Sequence, residues 1–284
     1  MPSQPWIFIC PSSRGIGLHL TRHLLQTTSL PILATTRQPD LASAKKAILS
    51  HPWPQPRSQQ GDDDDDDDDD VSRRLHLVRV DVTDEQSIEA ASGRARELFP
   101  PRSHHLHLSC AMPGVLTPER SPSQIDARAS MAMFQVNCAG PLLLAKHFAE
   151  FLPRRSTEMD MDMAPPRGLA RHATWVFMSA RVGSVTDNRS GGWFSYRASK
   201  AAVNSVARSL DVMLGARSGG KALAVAYHPG TVKTEFSRPF WGSVPEGKLF
   251  GPEYAVERMA AVVEGLDVRH RGKCLDWKGD VVPP

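Results

Sequence analysis

No run of about eighteen apolar residues occurs anywhere in this sequence, so no segment reads as a membrane-spanning helix. The first five residues carry no positive side chain, and the apolar run that follows, Trp6 to Cys10, is too short for a secretory leader. Cysteine is scarce. The four that occur are scattered without metal-ligand spacing, which suits a reducing cytosol. Eleven histidines include the pair His104-His105, but no cysteine or carboxylate stands at ligand spacing, and no metal site is expected. No internal repeat is visible, which excludes a solenoid. The expectation is a cytoplasmic protein outside the membrane.

What is present is the material of one sizeable α/β domain. The chain has 284 residues, 40% of them hydrophobic. Strand-like and helix-like runs alternate throughout, which predicts a doubly wound, mostly parallel sheet with helices on both faces, a single domain over 1–284. Two segments stand outside this pattern. Residues 51–74 are rich in Pro, Gln and Ser and contain nine consecutive aspartates, Asp62 to Asp70, whose mutual repulsion predicts a disordered insertion. Residues 153–172, with Met159, Met161 and Met163 among acids and prolines, read as a surface insertion. The formal charge is +3; without the aspartate run, 34 basic side chains against the 22 remaining acidic ones leave +12. A positive body suits an anionic dinucleotide. No nucleic-acid motif accompanies it, and no nucleic-acid partner is expected.

Tyr196 and Lys200 lie four residues apart in a stretch, Ala198 to Leu214, with helical character. Four residues is about one turn, so both side chains leave the same face. An ammonium beside a phenol stabilises the phenolate and lowers its pKa, which makes a proton donor for an oxyanion. At the other end, Trp6-Ile7-Phe8-Ile9-Cys10 reads as a buried strand. It is followed by Pro11-Ser12-Ser13-Arg14-Gly15-Ile16-Gly17 and a helix-periodic run from Leu18. Strand, glycine-containing turn and helix form the dinucleotide-binding arrangement, in which the helix N-terminus meets a pyrophosphate.

Together these features resemble the short-chain dehydrogenase/reductase family, and within it the C-factor-like and sniffer-like carbonyl reductases, through Arg181-Val182-Gly183-Ser184, Gly191-Gly192-Trp193 and the tail near Trp277. The family fold implied is a single Rossmann-type domain with a seven-stranded sheet. The resemblance implies a nucleotide site made by Ser13, Arg14, Gly15, Ile16 and Gly17, by Asp81 and Val82 beside the adenine, and by Pro229, Val232 and Thr234 near the nicotinamide. Cys10 and Pro11 replace the family's Thr and first Gly. Ala111-Met112-Pro113-Gly114 replaces Asn-Asn-Ala-Gly, so the bracing of the central sheet must come from elsewhere. Thr36 and Arg37 end the second strand, with no carboxylate before Asp40. Arg37 and Arg14 suit a 2′-phosphate, and the implied cofactor is NADP(H) rather than NAD(H).

The resemblance further implies that Asn137 anchors a relay water, that Tyr196 is the acid/base, and that Lys200 tunes it and bonds the nicotinamide ribose. The substrate-orienting serine of the family falls on Ala180 here; Ser179 is nominated in its place, with Ser184 as the alternative. Residues 236–251 correspond to the substrate lid. The expected activity is interconversion of a small-molecule carbonyl and an alcohol by hydride transfer. The expected assembly is a homodimer or homotetramer through the helices carrying Asn137 and Lys200. The changes at Pro11, at 111–113 and at Ala180 leave a second class open: a nucleotide-binding sensor or scaffold on the same fold.

Overall fold

The computed structural model describes residues 2–50, 70–159 and 168–284. Alternation along the first strand sets the layering. In β1 (Gln4–Cys10), Trp6 and Phe8 face one side of the sheet and Ile7 and Ile9 the other, all fully buried. A strand with both faces buried belongs to the interior of a parallel sheet. The chain continues through α1 (Gly15–Thr27), β2 (Ile32–Thr36), α2 (Leu41–Leu49), β3 (Leu75–Arg79), α3 (Glu85–Leu98), β4 (His104–Ala111) and α4 (Ala127–Phe134). A π-helical turn (Gln135–Ala139) leads into α5 (Gly140–Phe148), then β5 (Ala173–Met178), α6 (Phe194–Ser218) and β6 (Ala222–His228). The short strands β7 (Thr231–Val232) and β8 (Leu249–Phe250), α7 (Pro252–Glu264), β9 (Cys274–Asp276) and β10 (Val281–Val282) complete it.

The main sheet has order β10-β9-β6-β5-β4-β1-β2-β3, parallel throughout except for β10 on β9. It therefore has eight strands, one more than the resemblance implied. The extra strand is the second arm of a hairpin turned at Gly279 (φ +89°), and two apolar residues are too short a run to show a period. Trp6 and Phe8, with Phe99, Phe148 and Trp175, build the core under α3, α5 and α6. Ile7, Ile9 and Ile32, with Leu20, Leu24 and Met259, build the core under α1 and α7. The crevice at the carboxyl ends of β1 and β4, where the strand order reverses, is where such folds hold ligands.

Most of the aspartate run lies outside the described residues, but 70–74 is helical rather than disordered. Arg74 anchors it, donating to the Thr28 and Leu25 carbonyls at 2.9 Å each and to Asp70 at 3.0 Å. The segment read as a surface insertion is likewise anchored at its described ends. Leu169 and Ala170 are buried, and Arg155 donates to the Ala216 and Gly215 carbonyls.

A row of histidines lies under the sheet. His105 Nε2 is 3.3 Å from His107 Nδ1, whose Nε2 in turn donates to the Ala170 carbonyl at 2.9 Å. His172 reaches the Leu266 carbonyl at 3.0 Å. Burial holds all three below the ordinary imidazole range, His105 at about 3. The unfolded chain takes up these protons first. The stabilisation is therefore whole above about pH 6.5 and falls with pH toward the folded values, by about 1.4 kcal/mol per pH unit per histidine. Urea unfolding should show lower stability at about pH 5.5 than at about pH 7.5, with a shallower slope in His105→Leu; a flat profile in the native chain would contradict this.

Candidate active site

The glycine turn after β1 is held by its neighbours. Ser12, fully buried, bonds the Thr35 carbonyl through both its backbone N–H and its Oγ, at 2.9 Å each. The Cys10–Pro11 peptide is cis. A Cβ at Gly17 would stand 1.9 Å from the Pro11 carbonyl oxygen, so only glycine lets α1 start this close to β1. Gly15 has φ +55°, and a Cβ there would touch the Thr234 methyl at 3.7 Å. The turn after β7 thus faces the glycine turn across the crevice. Arg14, at the N-cap of α1, makes no capping bond, which leaves the first N–H groups of the helix uncapped by a side chain.

The other residues expected to meet a nucleotide follow the carboxyl ends of β1, β2, β3 and β6. Ser13 and Ile16 are partly buried within the glycine turn. Arg14 and Arg37 are exposed, and neither side chain makes a hydrogen bond or ion pair among the described residues. Asp40 is occupied elsewhere. Its carboxylate caps α2, accepting from Ser43 N at 3.0 Å and Ser43 Oγ at 2.6 Å. Asp81 accepts from Thr83 N and Oγ1, and these bonds, with Arg37 and Arg79 nearby, hold its carboxyl below the usual range. Val82 packs so closely under Gly140 that a Cβ there would come within 2.8 Å. Pro229 and Val232 are buried, and the Val232 carbonyl accepts from Ser237 Oγ. A backbone cradle that excludes a Cβ, a helix N-terminus and unpaired guanidinium groups fit a phosphorylated dinucleotide.

Tyr196 and Lys200 lie on one face of the first turns of α6, both buried, with Lys200 Nζ 5.8 Å from the centre of the phenol ring. Lys200 Nζ donates to the Met178 carbonyl at 2.9 Å. Gly183 presses on this helix; a Cβ there would lie 2.7 Å from the Lys200 carbonyl carbon. A Cβ at Gly114 would have Lys200 Nζ and Phe236 Cε2 at 3.8 Å and Asn137 Oδ1 at 3.9 Å, so these groups converge on one point. Met133, Ala180, Val115, Leu116 and Trp193 pack around Tyr196 as an apolar wall.

The electrostatics differ from the sequence expectation. Burial pushes the Tyr196 phenol up rather than leaving it lowered, and burial brings Lys200 down to about 8. The amine is itself desolvated, so its influence on the ring does not outweigh the loss of water around the phenol. Tyr196 is therefore fully protonated near neutral pH, the form that can give a proton.

Asn137 is fully buried in the π-helical turn. Its Oδ1 accepts from Val115 N at 2.7 Å, and its Nδ2 donates to the Val115 carbonyl at 2.9 Å and to Ser199 Oγ at 3.0 Å. Ser199 Oγ donates to the Tyr196 carbonyl. Asn137 thus ties the segment after β4 to α6. Ser179 does not reach the cleft. Its Oγ donates to Asn204 Oδ1 at 2.7 Å, because alternation at the end of β5 turns it toward α6. Ser184 is also turned away, donating to the Pro284 carbonyl at 3.2 Å. Neither serine stands in for the hydroxyl missing at Ala180. Sequence reasoning missed Glu119 and Ser195 beside Tyr196; no spacing signal links residues 76 positions apart. Among the described residues no cluster of His, Cys, Asp or Glu could hold a metal ion, and no helix is long and apolar enough to cross a membrane.

A family model described as short chain dehydrogenase matches residues 5–242. An uncharacterized oxidoreductase of Schizosaccharomyces pombe is 25% identical over 97% of this chain and 96% of its own. The NADPH-bound carbonyl reductase from chicken fatty liver has TM-score 0.74 at 23% identity, covering 100% of both chains. The carbonyl reductase Sniffer of Drosophila melanogaster has TM-score 0.76 at 18% identity, again over 100% of both.

Proposed function

The chain belongs to the short-chain dehydrogenase family of oxidoreductases, and from that premise we propose that it interconverts a small-molecule carbonyl and its alcohol with NADP(H), using Tyr196 as the acid/base. The observation that carries this reading is the convergence of Lys200 and Asn137 on Gly114 in the crevice, with Lys200 Nζ 5.8 Å from the centre of the Tyr196 ring. When bound, the nicotinamide supplies or accepts the hydride. The glycine turn would hold its phosphates, Lys200 the adjoining ribose, and Val232 and Thr234 its carboxamide. Tyr196 gives its proton to the carbonyl oxygen as charge builds there, and Lys200, cationic over most of the neutral range, stabilises the phenolate left behind. The apolar wall excludes water from that proton transfer.

The choice of NADP(H) is supported by unpaired Arg14 and Arg37 and by the engagement of Asp40 as a helix cap. Charge-assisted hydrogen bonds contribute about 1.5–3 kcal/mol, so Arg37→Glu should weaken NADPH binding by roughly 10- to 100-fold and NADH binding by less than about threefold. Fluorescence titration measures both; an equal loss would contradict the assignment. An assembly of two or four copies belongs to the same proposal, supported by exposed Leu142 on α5 and Val212 on α6.

One observation favours the sensor reading: the hydroxyls of Ser179 and Ser184 are both bonded away from the cleft beside Ala180. Loss of one oxyanion donor costs about 10²–10³ in turnover, which slows an enzyme without disarming it. Oxidation of NADPH against aldehydes, ketones and quinones, beside a binding titration, separates the two readings. Turnover supports the enzyme, and binding with none supports the sensor.

A further inference from the structure

Three carboxylates are almost fully buried among the described residues: Glu119, Asp211 and Asp276. Asp211 meets Arg271 and Asp276 meets Arg181. Glu119 meets no cation among the described residues. Its oxygens instead accept from one residue of α6: Oε2 from the Ser195 backbone N–H at 2.8 Å, and Oε1 from Ser195 Oγ at 2.6 Å. Ser130 Oγ lies 2.7 Å from Ser195 Oγ and completes the set.

The backbone explains why a distant side chain is needed. The N-cap of α6 is Trp193, held left-handed at φ 50° and unable to cap with its indole. Gly191 and Gly192 precede it at φ +60° and +65°. This run is pinned by Trp193 N, which donates to the Glu119 carbonyl at 2.6 Å, and a Cβ at Gly192 would meet that same oxygen at 3.2 Å. Glu119 therefore closes the helix start with both its backbone and its carboxylate, where the helix dipole and the open N–H groups favour a negative charge. Burying a carboxylate is costly unless its lone pairs are met, and here that compensation falls on the residue next to Tyr196. Trp193 stands edge-on to the Tyr196 ring at 6.0 Å and against Phe240 at 5.1 Å.

We propose that Glu119 is the positioning residue of the active-site tyrosine, fixing the first turn of α6 and, through Trp193, the aromatic wall of the substrate cleft. The proposal rests on the reading of Tyr196 as the acid/base. Glu119 touches neither substrate nor cofactor and acts through Ser195 and Trp193.

The test compares Glu119→Ala, Glu119→Gln and Ser195→Ala by steady-state kinetics, NADPH titration and ¹³Cζ-tyrosine NMR. The chain has three tyrosines, so Tyr196→Phe assigns the resonance of interest. Glu119→Ala should lower kcat by about tenfold or more, because small misplacements of a reacting group cost that much, with NADPH Kd unchanged within about threefold. Glu119→Gln keeps an acceptor for the Ser195 N–H and should recover most of kcat. The Tyr196 resonance should move or broaden in Glu119→Ala while those of Tyr227 and Tyr254 stay. If Glu119→Ala does not fold, Ser195→Ala should show the same kcat loss and resonance shift, smaller in size. Wild-type kcat with an unmoved Tyr196 resonance in these variants would overturn the proposal. So would equal losses of kcat and NADPH affinity in Glu119→Ala and Glu119→Gln. A wild-type chain that reduces no carbonyl would sink the acid/base reading, while the resonances would still decide whether Glu119 places the ring.

Discussion

Tyr196→Phe should lower kcat for carbonyl reduction by roughly 10²- to 10⁴-fold, the range that a positioned general acid supplies, while NADPH binds as before. The phenyl ring keeps the packing against Trp193, Ala180 and Met133 and loses only the hydroxyl. Nothing in the glycine turn, at Arg14 or at Arg37 touches that ring, so the titration should change by less than about twofold while turnover falls. The melting temperature should hold as well. A variant with turnover near that of the native chain would remove Tyr196 from the chemistry.

The second large effect is on binding. Gly17→Ala places a methyl 1.9 Å from the Pro11 carbonyl oxygen, where backbone meets backbone and no side chain can rotate away. Either α1 withdraws from β1, or the turn at 11–14 opens and strains the bonds of Ser12 to Thr35. Overpacking of this kind costs about 1–3 kcal/mol or more of stability, and the rearranged cradle should bind NADPH at least about tenfold more weakly. Gly93→Ala is the control. It lies within α3, nothing stands within 4 Å of its new methyl, and it should gain about 0.5–1 kcal/mol from helix propensity alone. Thermal melts and NADPH titrations of the two variants read both effects. Unchanged binding in Gly17→Ala would show that the turn does not hold the nucleotide.

These positions also show which features were legible in the sequence. The parallel sheet could be read because β1, β5 and β6 are buried on both faces and therefore appear as short unbroken apolar runs. The crevice could be read because glycine at 15 and 17 and the one-turn spacing of Tyr196 and Lys200 are local patterns. What depended on long-range geometry was not legible. The direction in which Ser179 points follows from the register of β5 against α6, and the closing hairpin from two residues after Gly279. The rise of the Tyr196 phenol comes from the wall packed around it, where the sequence shows only the neighbouring amine. Asn137 was legible only through the family resemblance, and its tie to Val115 joins residues 22 positions apart. Glu119 lies still further from the residue it serves.

A single-turnover experiment is the most direct test of whether a protonated phenol over a bound nicotinamide makes this chain a reductase. The protein is loaded with one equivalent of NADPH, mixed with an aldehyde at neutral pH, and the reduced nicotinamide is followed by its absorbance. The expected result is loss of that absorbance together with formation of the alcohol in equal amount, and no such loss in Tyr196→Phe. NADPH that stays bound and reduced against every aldehyde and ketone offered, or that never binds, would contradict it.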